Sequence, residues 1–243
     1  MSDQEPTAHR RRRLAELRLR LESHRTLREL SLHLPGATAP YDVAIPADPD
    51  GVLDELVSAF PHMPYWATLW PSGLALAEVV LARRDALHGA TAIELGCGLG
   101  VTATAVTEAG ADLVAVDCFP EALMYCRYNV LRNAGAEART LLADWRTADG
   151  RARLSQINAR VVLAADVLYE QEDVAPLLEL GEGFMERGAM VWLAEPGRVT
   201  SERFVDAARE RGWRGETIEM QREWPAHAGT ARVRVHLFGR GRG

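Results

Sequence analysis

Ala92-Ile93-Glu94-Leu95-Gly96-Cys97-Gly98-Leu99-Gly100-Val101 reads as a short buried strand that ends in a glycine turn and opens a helix. A turn of this kind receives a nucleotide-like ligand at the carboxyl end of its strand. A G-x-G-x-x-G dinucleotide fingerprint would need its third glycine at position 101, but Val101 stands there and the spacing is G-x-G-x-G, with Glu94 two residues before the first glycine. Gly96 and Gly98 carry no Cβ and tolerate positive φ, so the backbone can approach a flat adenosine-type ligand closely. S-adenosylmethionine suits such a turn, since it has no pyrophosphate and does not demand a phosphate-cradling helix end.

The next strand supports this. Leu113-Val114-Ala115-Val116-Asp117 is a short apolar run ending in an acid 21 residues after Gly96. In a doubly wound sheet the acid at the end of the second strand accepts both hydroxyls of an adenosine ribose. Nicotinamide proteins use the same acid, so Asp117 identifies the ribose and not the cofactor. The bland alternative is a carboxylate that only caps a helix starting at Pro120.

The surrounding chain sets bounds. With 243 residues, 47% of them hydrophobic, it has enough material for one α/β domain with additions and a proper core. It contains no run of eighteen apolar residues, and the arginine-rich N-terminus is not followed by an apolar signal region, which points to a cytoplasmic protein with no membrane partner. Cys97, Cys118 and Cys126 lack C-x-x-C spacing and the seven histidines form no H-x-x-x-H pair, so neither a disulfide nor a metal site is signalled. All 28 basic residues are arginine, which excludes an active-site lysine. The net charge of −6 is uneven: residues 10 to 33 hold eight arginines against three glutamates, leaving an acidic body that argues against a general nucleic-acid binder.

Residues 10 to 33 read as an amphipathic helix, with Leu14, Leu17, Leu21, Leu27, Leu30 and Leu34 at helical spacing and Arg18/Glu22 and Arg25/Glu29 four apart. It is either a packed outer helix or a basic arm for an acidic partner. A connector follows, with a short strand at Tyr41 to Ile45 and a short helix from Asp50 to Phe60. From Ser72 helices and strands alternate: helix 73–84, strand 91–95, helix 101–109, strand 112–117, helix 120–133, strand 139–143, strand 160–165, helix 173–186, strand 189–194 and helix 201–211. Two β-rich runs, Glu216 to Arg222 and Ala231 to Phe238, close the chain, with Pro225 and Gly229 suited to their connection. The pattern predicts an α/β fold: a doubly wound, mainly parallel, seven-stranded Rossmann-like sheet with a C-terminal antiparallel hairpin and an N-terminal helical extension. The chain divides into residues 1–60, the extension and connector, and residues 61–243, the ligand-binding domain.

Ligands of such sheets sit at the carboxyl ends of the strands. There the chain places Asp144-Trp145, whose carboxylate can bond an adenine amino group while the indole packs on the ring; Ala165-Asp166-Val167-Leu168-Tyr169-Glu170, an acid and a phenol three apart; and Glu195-Pro196-Gly197-Arg198. Each alone can be a helix cap. Pro64-Tyr65-Trp66-Ala67-Thr68-Leu69-Trp70-Pro71-Ser72-Gly73 holds two of the six tryptophans just before the first helix of the α/β unit, where it can wall the cleft.

Together these residues resemble a seven-strand class I S-adenosylmethionine-dependent methyltransferase. Within that class the chain is similar to the protein-lysine methyltransferases related to the electron-transfer flavoprotein β-subunit enzyme. The matches are Tyr65-Trp66 through Trp70-Pro71-Ser72-Gly73, Glu94 to Gly98, Asp117, Asn129, Asn133, Asp144-Trp145, Asp166 to Glu170 and Pro196-Gly197-Arg198. The resemblance implies that Trp70, Gly96, Gly98, Asp117, Trp145 and Ala165 contact the cofactor. Glu94, Cys97, Gly100 and Asp144 complete the candidate cofactor set, and Asp166 and Tyr169 are the candidate catalytic pair facing the acceptor. Glu195 stands where aspartate is expected, and the arginine-rich leader lies outside the pattern. The D-V-L-Y motif differs from the D/N-P-P-Y of base-amino methyltransferases, which argues against a nucleic-acid substrate.

Three readings follow. A protein-lysine methyltransferase fits the whole motif set. A methyltransferase of a small amine or natural product would show a deep closed pocket. A nicotinamide oxidoreductase or non-catalytic nucleotide-binding module is opposed by Val101 and the tryptophan segment. The sequence leaves the acceptor and the oligomeric state open.

Overall fold

In the computed structural model, which describes residues 4–57 and 63–240, the chain opens with α1 (Gln4–His24), an antiparallel pair β1 (Leu27–Leu32) and β2 (Tyr41–Pro46), and α2 (Pro49–Leu56). A 3-10 turn at Tyr65–Ala67 leads into α3 (Pro71–Ala82) and the short α4 (Arg84–Leu87). Then come β3 (Thr91–Leu95), α5 (Val101–Glu108), β4 (Asp112–Asp117), α6 (Pro120–Ala134), β5 (Arg139–Leu142), α7 (Ala148–Ser155), β6 (Val161–Ala165), α8 (Val174–Glu186), β7 (Met190–Glu195), α9 (Val199–Glu210), β8 (Trp213–Glu223) and β9 (Thr230–Arg240).

The seven-stranded sheet has the order β5-β4-β3-β6-β7-β9-β8, parallel from β5 to β7 and antiparallel through β9 and β8. Alternation along the strands builds both sides. Ala92, Leu113, Ala115, Val161, Leu163 and Trp192 pack with α3, α5 and α6 on one face. Ile93, Leu95, Val114, Val116, Val162 and Leu193 pack with α7, α8 and α9 on the other. The expected doubly wound, mainly parallel sheet is therefore the fold. No helix among the described residues is long and apolar enough to cross a membrane.

The N-terminal region departs from the expectation. The helix foreseen over residues 10–33 ends at His24, and Leu27–Leu32 is a strand in register with Tyr41–Pro46. Leucine spacing inside one segment cannot see a partner strand fourteen residues on, and the pairing overrides the local periodicity. Arg18 and Glu22 do pair at 2.8 Å, but Arg25 and Glu29 do not. Arg25 binds Glu121 and Glu55, while Glu29 accepts from Arg132 and Arg18. Arg10 donates to the carbonyls of Leu131 and Arg132 at the end of α6, and Arg13 pairs with Glu137 at 3.0 Å. Two arginines of α1, Arg13 and Arg18, thus meet carboxylates of the same chain outside the helix, and Leu17 and Leu21 beneath it are buried.

Three further differences are local. The helix expected from Asp50 to Phe60 is seen as Pro49–Leu56, and its foreseen end at 58–60 lies outside the described residues. α7 was not foreseen; the Thr147 hydroxyl caps it by accepting from the Gly150 N–H at 3.0 Å. Both terminal strands are longer than their β-rich cores suggested, because each extends the pairing of the other.

Candidate active site

The sheet order reverses at β3, which has β4 on one side and β6 on the other, and the carboxyl ends of these three strands open into a cavity of about 280 Å³. This is the switch point at which α/β sheets hold ligands. The glycine turn forms its floor, with φ of +68° at Gly96, +48° at Gly98 and +80° at Gly100, a region disfavoured for residues with a Cβ. A Cβ on Gly98 would lie 3.4 Å from the Trp66 carbonyl oxygen. On Gly100 it would fall 2.7 Å from the Cys126 Cα, so the space Gly100 needs is set by α5 packing on α6, while its backbone still borders the cavity.

Asp117 ends β4 beside this turn. Its Oδ2 accepts from the Gly98 N–H and its Oδ1 from the Phe119 N–H, each at 3.0 Å. Burial pushes its carboxyl up to about 6, against the N–H groups of Phe119, Gly98 and Cys118 and the charge of Arg146. Glu94 is more deeply enclosed. Burial raises its carboxyl well above the usual range, with the Thr102 hydroxyl opposing, and its Oε2 has no hydrogen-bond partner among the described residues. The buried Trp66 Nε1 likewise lacks one. Both residues line the cavity, and unpartnered polar atoms there are what a polar ligand would satisfy.

Trp70, Cys97, Trp145 and Ala165 all border the cavity. Trp70 Nε1 donates to the Tyr65 carbonyl at 2.9 Å, which fixes the tryptophan segment against itself. Asp144, also a candidate, meets a side chain of its own loop. Its Oδ1 accepts from the Arg146 N–H at 3.0 Å and from Arg146 Nε at 2.7 Å, and it is not among the lining residues described. Arg146, which the sequence did not single out, lines the cavity instead, with its guanidinium 5.5 Å from the Trp145 ring.

The loop after β6 forms another wall of the cavity. Asp166 has φ +52°, an uncommon backbone state for a non-glycine residue, held in part by its N–H bond to the Ala194 carbonyl at 2.9 Å. Burial raises its carboxyl, while Arg198, at 3.1 Å from Nε to Oδ1, opposes that rise. The Tyr169 phenol, raised well above its ordinary value by burial and then by Asp166, stays protonated near neutrality. Its ring lies 4.6 Å from Tyr65, which meets Trp70 edge-on at 5.9 Å. Asp173 is a second unforeseen residue: its Oδ2 accepts from the N–H groups of Tyr169 and Glu170 at 3.0 and 2.8 Å and so fixes the loop. A polar residue at the start of a helix was the available signal.

The arrangement joins a buried carboxylate, a protonated phenol and an aromatic wall to a glycine cradle with a second buried acid, Asp117, beside it. A family model described as lysine methyltransferase matches residues 66–210. The rat electron transfer flavoprotein beta subunit lysine methyltransferase is 32% identical over 142 residues, covering 56% of this chain and 51% of that protein. A mouse histone-arginine methyltransferase is 25% identical over 149 residues, covering 60% of this chain and 58% of that one. The chain thus spans about half the length of the first curated relative. Among solved structures, a SAM dependent methyltransferase from Agrobacterium tumefaciens aligns with a TM-score of 0.57 at 16% identity, covering 86% of this chain and 70% of that one, a likeness of fold.

Proposed function

Because the chain belongs to the lysine methyltransferase family, we propose that it transfers a methyl group from S-adenosylmethionine to a lysine side chain of a protein. The observation that carries this reading is the meeting, in one cavity, of the glycine turn and Asp117 with Asp166 and Tyr169. The cofactor, when bound, supplies an electrophilic methyl carbon on a sulfonium. The residues present fit it: Asp117 has acceptor capacity left for ribose hydroxyls, the unpartnered Glu94 Oε2 suits a cationic or hydroxyl group, and Trp145 offers a face for a purine.

Direct displacement needs no covalent enzyme intermediate, so the chain contributes chiefly by alignment, which can be worth about 7 to 11 kcal/mol. A lysine amine with a reference pKa near 10.4 costs about 4 to 5 kcal/mol to deprotonate at pH 7. Asp166 orients the amine and takes up its departing proton through water, and the Tyr169 hydroxyl aligns the nitrogen and shields it.

The test is transfer of tritiated methyl into a size-fractionated extract of cells lacking the gene, followed by mass spectrometry of any labelled band. Label on a protein lysine is the expected result. Label confined to small molecules overturns the protein acceptor, and label on protein arginine, the acceptor named for the mouse relative, overturns lysine. Asp166→Ala is expected to keep cofactor affinity and lose turnover about 100-fold or more; lost cofactor affinity would contradict this division of roles.

A further inference from the structure

Arg198 touches both residues assigned to the acceptor, yet it is not among the described residues lining the cavity. Its Nε lies 3.1 Å from Asp166 Oδ1, and its guanidinium carbon lies 5.2 Å from the centre of the Tyr169 ring. It therefore meets this pair from outside that lining, with its own side chain 38% exposed. The turn that carries it is anchored: Gly197, at φ +92°, donates its N–H to Glu195 Oε2 at 2.6 Å. Glu195 Oε1 accepts from Arg234 Nε at 2.6 Å and lies 3.2 Å from His236 Nε2, and the His236 Nδ1 is 2.9 Å from the Thr217 hydroxyl. Two strands of the sheet thus hold the base of the turn from which Arg198 reaches Asp166.

We propose that Arg198 is a positioning residue, a fixed cation outside the cavity that balances the Asp166 carboxylate so that the incoming amine meets a neutral pair and not a bare anion. The proposal rests on the methyl-transfer reading for its second half. A lone buried carboxylate beside an ammonium favours the charged form of that ammonium, which opposes the deprotonation that transfer requires. A guanidinium stays charged and keeps its protons at any ordinary pH, so it can offset the carboxylate without exchanging a proton with the substrate. The groups that act on Asp166 are Arg198 from the start of α9, Glu195 from the end of β7, and Tyr169 on its own loop, with Tyr65 beyond. Glu195 is itself countered by Arg234, and Asp173 is engaged with backbone N–H groups, which leaves Arg198 as the cation paired directly with Asp166 among the described residues.

Two readouts test this on the full-length enzyme, with Arg198→Gln as the charge-removing variant and Arg198→Lys as the charge-retaining one. Carboxyl NMR of carbon-13-labelled aspartate, with Asp166 assigned through Asp166→Asn, follows its titration without any substrate. Its midpoint is expected to move up by about one pH unit or more in the glutamine variant and to stay nearer wild type in the lysine variant. The acid limb of kcat is expected to move to higher pH by the same amount in the glutamine variant, lowering kcat about tenfold at pH values below the limb while KM for the acceptor does not rise. Coincident midpoints overturn the proposal, as does an unmoved limb with kcat reduced equally at every pH, which is what a merely structural arginine would give. Failure of the methyl-transfer reading would appear separately, as no product from the wild type, and the substrate-free titration would still decide whether Arg198 balances Asp166.

Discussion

Asp117 commits both oxygens to backbone N–H groups of the turn it must shape while keeping lone pairs for a ligand. In the proposed cofactor complex the ribose hydroxyls donate to the ionised carboxylate, so affinity should be full above the carboxyl's value of about 6 and fall as pH drops through it. Calorimetric titration with S-adenosylmethionine is expected to show affinity about tenfold weaker at pH 5 than at pH 7. Asp117→Asn should bind more weakly at neutral pH and lose that dependence. A wild-type affinity flat across this range would remove Asp117 from the ribose. The acid was legible in the sequence because strand register alone fixes where it sits. Arg146 was not, and Arg198 was legible only as part of the Pro196-Gly197-Arg198 match, without its partner, because the direction of a long side chain after a strand is decided by the carboxylate it finds, Asp144 in one case and Asp166 in the other.

Two asparagines one turn apart on α6 tie the N-terminal hairpin to the site. Asn133 Oδ1 accepts from the Asp42 N–H at 2.7 Å and its Nδ2 donates to the Asp42 carbonyl at 3.1 Å. Asn129 does the same for Ala44 at 2.8 and 2.9 Å and also donates to the Leu99 carbonyl, in the glycine turn, at 2.8 Å. α6 thus serves β2 as a substitute neighbour, satisfying backbone groups that β1 does not reach. Asn129 is fully buried, so Asn129→Ala leaves the Ala44 N–H and two carbonyls unsatisfied and is expected to cost about 3 kcal/mol, a fall in Tm on the order of 10 °C. Asn133→Ala, at a more exposed position, should cost under about 1 kcal/mol. Faster amide exchange at Ala44 in the first variant but not the second would mark the clamp, and equal thermal shifts would refute the difference. The same elements mark the limit of pattern reading. β3, β4 and α6 appear where periodicity put them, because each buries a face against the sheet. β1 takes its pairing from β2, and α7 is a short helix whose start is set by the Thr147 cap and whose packing rests on the buried Leu154.

At the scale of the whole molecule, the absence of lysine from a chain with 28 arginines separates enzyme from substrate. The arginines carry structural work: Arg13, Arg25 and Arg132 fasten the N-terminal module to α6 and the adjoining loop, and Arg234 holds the turn beside the acceptor end. A lysine-directed enzyme of this composition offers no side chain for self-methylation. Prolonged incubation of the purified protein with S-adenosylmethionine alone is therefore expected to leave every side chain unmodified by peptide mass spectrometry. Any lysine label in a mixed reaction then belongs to the partner. An arginine-directed enzyme would behave differently, because exposed arginines such as Arg20 and Arg28, without an ion-pair partner among the described residues, would be available to it in trans. Methylated arginine in the self-reaction would therefore shift the acceptor from lysine to guanidinium. It would also reassign the Arg198–Asp166 pair, since a carboxylate already bound to one guanidinium would then be the docking point for a second.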